Sequence, residues 1–410
     1  MKNFTKLIVG VLGVLALAGC GSSNSSKDQV ELTVWGDADN QAIQEESFTK
    51  INEEFMKKNP DIKINYQYSG TLDSINVALQ SDSLPDLFWV QGNKSTKMEE
   101  MAKEGYILPI EDQNYDRFPQ ESIDYATVNG KIYSSLPSFI SYVTFYYNVD
   151  LFKKYDIKVP TTWDEFDAAA QKLAETEVTP IALGGNGDFD RYWYIQATAA
   201  ALANKDILSI VDDKTTASFE ELKQTFDNFY NYSKEGIFGK DFVSTDGNGA
   251  KLLFTNGKAA IIPDGTWNSK AYFESGLNVD TFILPGTDGK TYAQSGPNNI
   301  NTYAISKKTK HPKEATKYIE FLNSKEAQQI IEDATGEVPL LDDIDPKDEK
   351  VSKMASFDEV GENIYHRLSQ VATETSKPQD LLLTSILPDL MQGKITPDQA
   401  VELLKAELEK

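Results

Sequence analysis

Apolar positions recur along this chain with two periods, and the two alternate. The segment 31–35 (ELTVW) reads as a strand and is followed by the polar turn 36–39. From 41 to 58, Phe48, Ile51 and Phe55 are spaced by three and four, the stripe of one helix face. Asn59-Pro60 ends that helix. Ile62, Ile64, Tyr66 and Tyr68 then alternate with polar residues, the period of a strand. Leu72, Ile75 and Leu79 predict a second helix, and 86–90 (DLFWV) a second buried strand. Met98, Met101 and Ala102 predict a third helix, which Gly105 closes. Strands alternating with helices imply βαβ units and a largely parallel sheet.

Further along, Val128-Asn129-Gly130-Lys131 predicts a two-residue hairpin turn, and 139–148 a long aromatic-rich extended run. Thr162-Trp163-Asp164-Glu165 reads as a capping box opening a helix to about 175, with Trp163 packing that helix on its sheet. Helical faces follow at 193–202 and 219–230. In 254–267 (FTNGKAAIIPDGTW) the Asn256-Gly257 pair makes a turn. The apolar run 259–262 suits a strand buried on both faces, and Pro263, having no N–H to give, ends it. Strands are predicted at 279–284 and 300–305. From His311 onward the pattern is helical, with Pro312 in a first turn and Thr396-Pro397 as a cap followed by proline. No repeat of fixed period is present.

Composition narrows the function classes. The chain has 410 residues, 40% hydrophobic and 25% charged, a length that favours two or three domains. A net charge of −23 argues against nucleic acid. A single Cys forms no internal disulfide. Lys2 and Lys6, the apolar segment 7–17 and the sequence Leu17-Ala18-Gly19-Cys20 form an export signal of residues 1–19 resembling a lipobox. Cys20 would then carry the lipid, and 20–28 (with GSSNSS) would be a flexible tether. That predicts an extracellular location, lipid-anchored on the cell membrane.

Taken in order, these residues resemble a family. ELTVWGD, FMKKNPDIKI, LPDLFWV, NGKIYSSLP, TFYYNVDLFKKYDI, VPTTWDEF, FTNGKAAIIPDGTW, FILPG, TYAIS and EATKYIEFLNSKEAQQ follow one another as in the maltose-binding-protein-like solute-binding lipoproteins of carbohydrate ABC importers. The resemblance implies an α/β, two-lobed periplasmic-binding-protein-like fold (type II) with a hinge between the lobes. It places 29–138 and 294–336 in lobe 1, 142–292 and 337–410 in lobe 2, and hinges at 139–143 and 292–296. It implies a monomer that binds an oligosaccharide, closes on it and delivers it to a permease.

Sugars show hydroxyls at the rim and C–H patches on their faces, so a site needs carboxylates and amides beside aromatic rings. In open α/β sheets ligands collect beyond the carboxyl ends of strands. The candidates there are Trp35, Asp37, Trp89, Gln91, Asn298 and Asn299 in lobe 1, with Trp193, Tyr194, Asp264 and Trp267 in lobe 2 and Tyr142 on the hinge. The family's stacking aromatics match Trp267, then Trp89 and Trp193. Trp35 serves equally as a core residue; taken alone, Trp267 reads as core and Asp264 as a helix N-cap, and it is the rest of the chain that points both to the site. Gln379 and Asp380 sit late in the chain, as an exposed helix start or a late contribution to the cleft. The alternatives are a secreted glycoside hydrolase, which needs two carboxylates about 5–9 Å apart, and a binding protein for a non-sugar solute. No paired-carboxylate motif, metal-ligand spacing, nucleophile elbow or phosphate loop occurs, so the sequence calls for no catalysis, cofactor or metal.

Overall fold

The computed structural model describes residues 29–94, 96–202, 207, 209–210, 219–294, 296–361, 363–373 and 375–410. The predicted signal, Cys20 and the tether lie outside the described residues, as does Ser295 within the expected second hinge.

The first sheet has the order β12-β3-β1-β2. Strand β1 (Val30–Asp37) runs parallel to β2 (Ile62–Gly70) and to β3 (Leu87–Trp89), while β12 (Tyr303–Ile305) is antiparallel to β3. Helix α1 (Gln41–Lys58) buries Phe48, Ile51 and Phe55 against this sheet, as their spacing predicts. Asn59 stops it by donating its side-chain amide to the Phe55 carbonyl at 3.0 Å. The helices Pro312–Leu322 and Lys325–Thr335 complete the core through Tyr318, Ile319 and Ile331. The hairpin β4 (Thr127–Val128) and β5 (Lys131–Ile132) turns through Asn129 and Gly130, whose φ values of +50° and +75° fit a tight hairpin turn.

The second sheet has the order β10-β7-β9-β8. Here the expectation of mostly parallel pairing fails. Strand β7 (Val143–Asn148) is antiparallel to both β9 (Ala259–Gly265) and β10 (Val279–Phe282), and only β8 (Thr179–Ile181) runs parallel to β9. The chain enters β7 straight from the first lobe through a short crossing, so no βαβ crossover sets its direction. Every residue of β7 is buried. Phe145 and Tyr147 enter a core shared with Phe166, Phe226, Ile261 and Leu404, whereas Tyr146 joins Tyr272, Val279 and Val338 on the other face.

Strand β9 does not end at Pro263 but continues to Gly265. The amide of Ala182 donates to the Ile261 carbonyl, so odd-numbered residues of β9 turn their backbone polar groups toward β8. Strand β8 has stopped at Ile181 by then, and the missing N–H of Pro263 falls where no partner waits. The capping box at 162–165 forms by half. Thr162 accepts from the Glu165 amide at 3.2 Å, but the Glu165 carboxylate accepts from Thr161.

Three stretches cross between the sheets. Strand β6 (Phe139–Ile140) pairs antiparallel with β13 (Val338–Pro339), and Ile140 also bridges Pro297. Strand β11 (Tyr292–Gln294) lies parallel to β14 (Glu359–Gly361). After β13 the chain returns to the first lobe, where Leu341 and Ile344 join its core and Asp343 takes a bidentate pair from Arg117. Only then do the C-terminal helices pack on the second sheet, later than the expected change of lobe at 337. The pattern after His311 is therefore not helical throughout, since β13 and β14 interrupt it.

Candidate functional site

A cavity of about 250 Å³ opens between the lobes, lined by Asn40, Ile43, Gln44, Asn298, Asn299 and Ile300 on one side. Ser141 and Glu337 of the crossings and Trp267 of the second lobe close it. Among the predicted residues, Trp267, Asn298 and Asn299 meet here. Trp267 sits in a short 3₁₀ turn (Thr266–Asn268) directly after β9 and is half-buried. Its ring folds back over Gly265, where an added Cβ would come within 2.2 Å of the indole. The glycine of the Asp-Gly-Thr-Trp run is thus required by contact, for its φ of −73° suits any residue.

Asn298 is 6% exposed and donates to Glu337 at 3.1 Å while accepting from the Ile300 amide at 3.2 Å. Asn299 lines the cavity, and its backbone carbonyl accepts from the Trp89 indole at 3.2 Å. Asp37 is fully buried at the start of α1, accepting from the Asp39 amide and from the Asn40 side chain at 2.7 Å. Burial raises its pKa, partly offset by those hydrogen bonds. It therefore holds Asn40 in place and does not face the cavity.

Next to Trp267, Trp193 packs edge-on at 5.2 Å and 68°. Trp193 rises from the helix Asp188–Leu202 and meets Phe189 at 5.6 Å, which in turn meets Tyr365 at 5.3 Å. Phe189 is 43% exposed. Together they make an aromatic surface on the second lobe suited to the C–H face of a flat solute. Asp264 lines a water-sized space of about 20 Å³ beneath it, with Trp193, Lys251 and Asp190. Its carboxylate accepts from Tyr272, Asn268 and the Gly265 amide, and Lys251 lies 3.6 Å away. Asp264 thus orders the loop that carries Trp267.

The structure keeps other candidates apart from the cleft. Trp89 and Tyr194 are core residues; the Tyr194 hydroxyl bonds Asn228 and its ring meets Phe238 edge-on at 4.8 Å. Tyr142 is wholly buried on the crossing, its hydroxyl donating to the Met354 carbonyl. Trp35 packs half-buried against the first core. Gln91 is half-buried after β3 and lines none of these cavities. Gln379 is buried in the helix start at 378–381, away from the cavity.

Sequence reasoning missed Asn40, Gln44, Ser141 and Glu337. The detectable signal was Gln44, a polar residue amid the apolar face of α1. A second, wider space of about 590 Å³ between the lobes is lined by Glu121, Asp124, Asp358, Glu359 and His366. Among the described residues no group of His, Cys, Asp and Glu is arranged to hold a metal ion, and no helix is long and apolar enough to cross a membrane.

Residues 38–329 match the family described as bacterial extracellular solute-binding protein. The chain is 26% identical to the multiple sugar-binding protein of Streptococcus mutans, over 82% of each chain. It is 23% identical to the maltooligosaccharide ABC transporter solute-binding lipoprotein of Streptococcus pneumoniae, over 83% of this chain and 80% of that one. Among solved structures, ligand-free RafE from Streptococcus pneumoniae superposes with a TM-score of 0.75 at 20% identity, covering 94% of this chain and 98% of the other. RafE in complex with raffinose superposes at 0.74, with 21% identity, covering 93% and 99%.

Proposed function

Since the chain belongs to the bacterial extracellular solute-binding protein family, we propose that it captures an oligosaccharide between its lobes and delivers it to the permease of an ABC importer. The observation that carries this reading is Trp267. It extends an aromatic surface on one lobe into a cavity whose opposite wall carries the amides Asn40, Gln44, Asn298 and Asn299 between Ile43 and Ile300. Rings stack on sugar faces and amides bond the rim hydroxyls. The relatives' names, for multiple sugars and maltooligosaccharides, point the same way.

The ligand contacts are Trp267, Trp193, Asn298 and Asn299, joined by Asn40, Gln44, Phe189 and Tyr365. Lobe 1 comprises 29–138 and 296–336 with the return loop at 341–344, and lobe 2 the remainder after 142. The protein acts as a monomer without catalysis, closing about its crossings on a ligand that touches both lobes and so favours the closed form. Cys20 carries a lipid that holds it at the membrane, a reading supported by the relative named a lipoprotein.

Thermal denaturation with raffinose, stachyose and maltotriose tests capture. A sugar at 100 times its Kd adds about 2.7 kcal/mol of stability and raises Tm. No shift with any neutral oligosaccharide would overturn the reading, and release of hydrolysis products would favour the glycoside hydrolase. Cys20→Ala is expected to move the protein from the membrane fraction to the medium or to block processing. Membrane retention of that variant, with no lipid on the parent by mass, refutes the anchor.

A further inference from the structure

We propose that the cleft reads chain length: it holds a linear oligosaccharide of at least about three units, with a far subsite made by Asn93 of lobe 1 and Gln370 of lobe 2. This deepens the capture reading above and rests on it. The cavity beside Trp267, at about 250 Å³, is smaller than the pockets that enclose drug-sized ligands, about 300–1,000 Å³. It does not end the cleft. Asn298 and Asn299 line it, and the two residues before them, Gly296 and Pro297, line the space of about 590 Å³. A third space of about 360 Å³ follows, for Asn93 and Gln370 line both the second and the third. These two amides come from opposite lobes, Asn93 from the turn after β3 and Gln370 from the end of the helix Ile364–Gln370, and both are exposed.

The aromatic surface runs along the same course. From Trp267 the ring centroids step 5.2 Å to Trp193, 5.6 Å to Phe189 and 5.3 Å to Tyr365. Each step is close to the length of one linked pyranose unit. Tyr365 stands in the same helix as His366 and Gln370, which line the second space. The rings take the C–H faces of the middle units. Amides and carboxylates around the second space, Glu121 and Asp124 among them, exchange hydrogen bonds with the hydroxyls of the far unit. A ligand confined to the first cavity never reaches Asn93 and Gln370. A longer one joins them, so added length contributes contacts to both lobes and favours the closed form.

Isothermal titration tests this with two series that grow one unit at a time: sucrose, raffinose and stachyose, and maltose, maltotriose and maltotetraose. In whichever series binds, the trisaccharide is expected to bind about tenfold or more tightly than the disaccharide. Asn93→Ala combined with Gln370→Ala is expected to weaken the tetrasaccharide about five- to fiftyfold. The Kd of the disaccharide and the Tm of the free protein are expected to stay as in the parent. Trp267→Ala, by contrast, is expected to weaken both lengths. A disaccharide bound as tightly as the trisaccharide overturns the reading of length. A double variant that binds the tetrasaccharide like the parent, or loses affinity for both lengths alike, overturns the far subsite. If no sugar of either series binds the parent, the capture reading itself has failed.

Discussion

At the scale of single residues, Trp267 and Gly265 act as one device. Trp267→Ala removes the ring and is expected to weaken sugar binding by about 2 kcal/mol, more than tenfold in Kd. Gly265→Ala is expected to weaken binding comparably, because its Cβ would collide with the indole and push it off the cavity wall. Titration calorimetry on both variants checks this; parental affinity in Gly265→Ala would mean the observed ring position is dispensable. The Asp-Gly-Thr-Trp run was legible because a large aromatic after a buried strand has few places to go. Trp193 and Tyr194 were not separable by sequence. Neighbours on a helix point about 100° apart, and hydrophobicity alone does not say which ring meets the cleft and which the core. Gln44 carried a mark in the sequence, since it falls in line with the apolar positions Phe48, Ile51 and Phe55 of α1 rather than on the polar face.

Among elements, the helical segment 378–391 braces the helix that carries the aromatic surface. Between Pro378–Leu381 and Leu387–Met391 the chain makes a π-helical turn, Leu382–Ile386, in which the Leu387 amide donates to the Leu382 carbonyl. In that register the partner of the Leu383 carbonyl would be the nitrogen of Pro388, which has no hydrogen. Arg191 substitutes, its Nη1 donating to Leu383 at 3.1 Å while its Nε donates to the Gly185 carbonyl at 3.0 Å. This guanidinium joins the helix bearing Phe189 and Trp193 to the end of the chain. Arg191→Leu leaves two buried carbonyls unpaired and is expected to destabilise by on the order of 3 kcal/mol. Urea unfolding measures it, and an unchanged midpoint would deny the link. Most helices were legible from their apolar stripes and caps, α1 to the residue. The pairing direction of β7 was not, because a strand's partners lie far away in sequence and leave no local mark.

For the whole molecule, the two-lobed α/β fold followed from family likeness, while periodicity alone yielded only alternating strands and helices. Scattering with a bound sugar is expected to give a smaller radius of gyration than without it, and identical profiles at saturation would refute closure. The interleaved path between the lobes also governs how the chain acquires its structure. The first core includes Tyr303, Tyr318 and Ile344, and the second includes Leu404 and Leu408. Contacts of such sequence separation form late, because the intervening loop must close first. A chain appearing from its amino end has no complete lobe until about five-sixths of it has emerged, and the second lobe waits for the final helix, Pro397–Leu408. Neither core can therefore be completed before that point in synthesis. A version truncated before residue 397 is expected to retain the first core while the second stays open to protease.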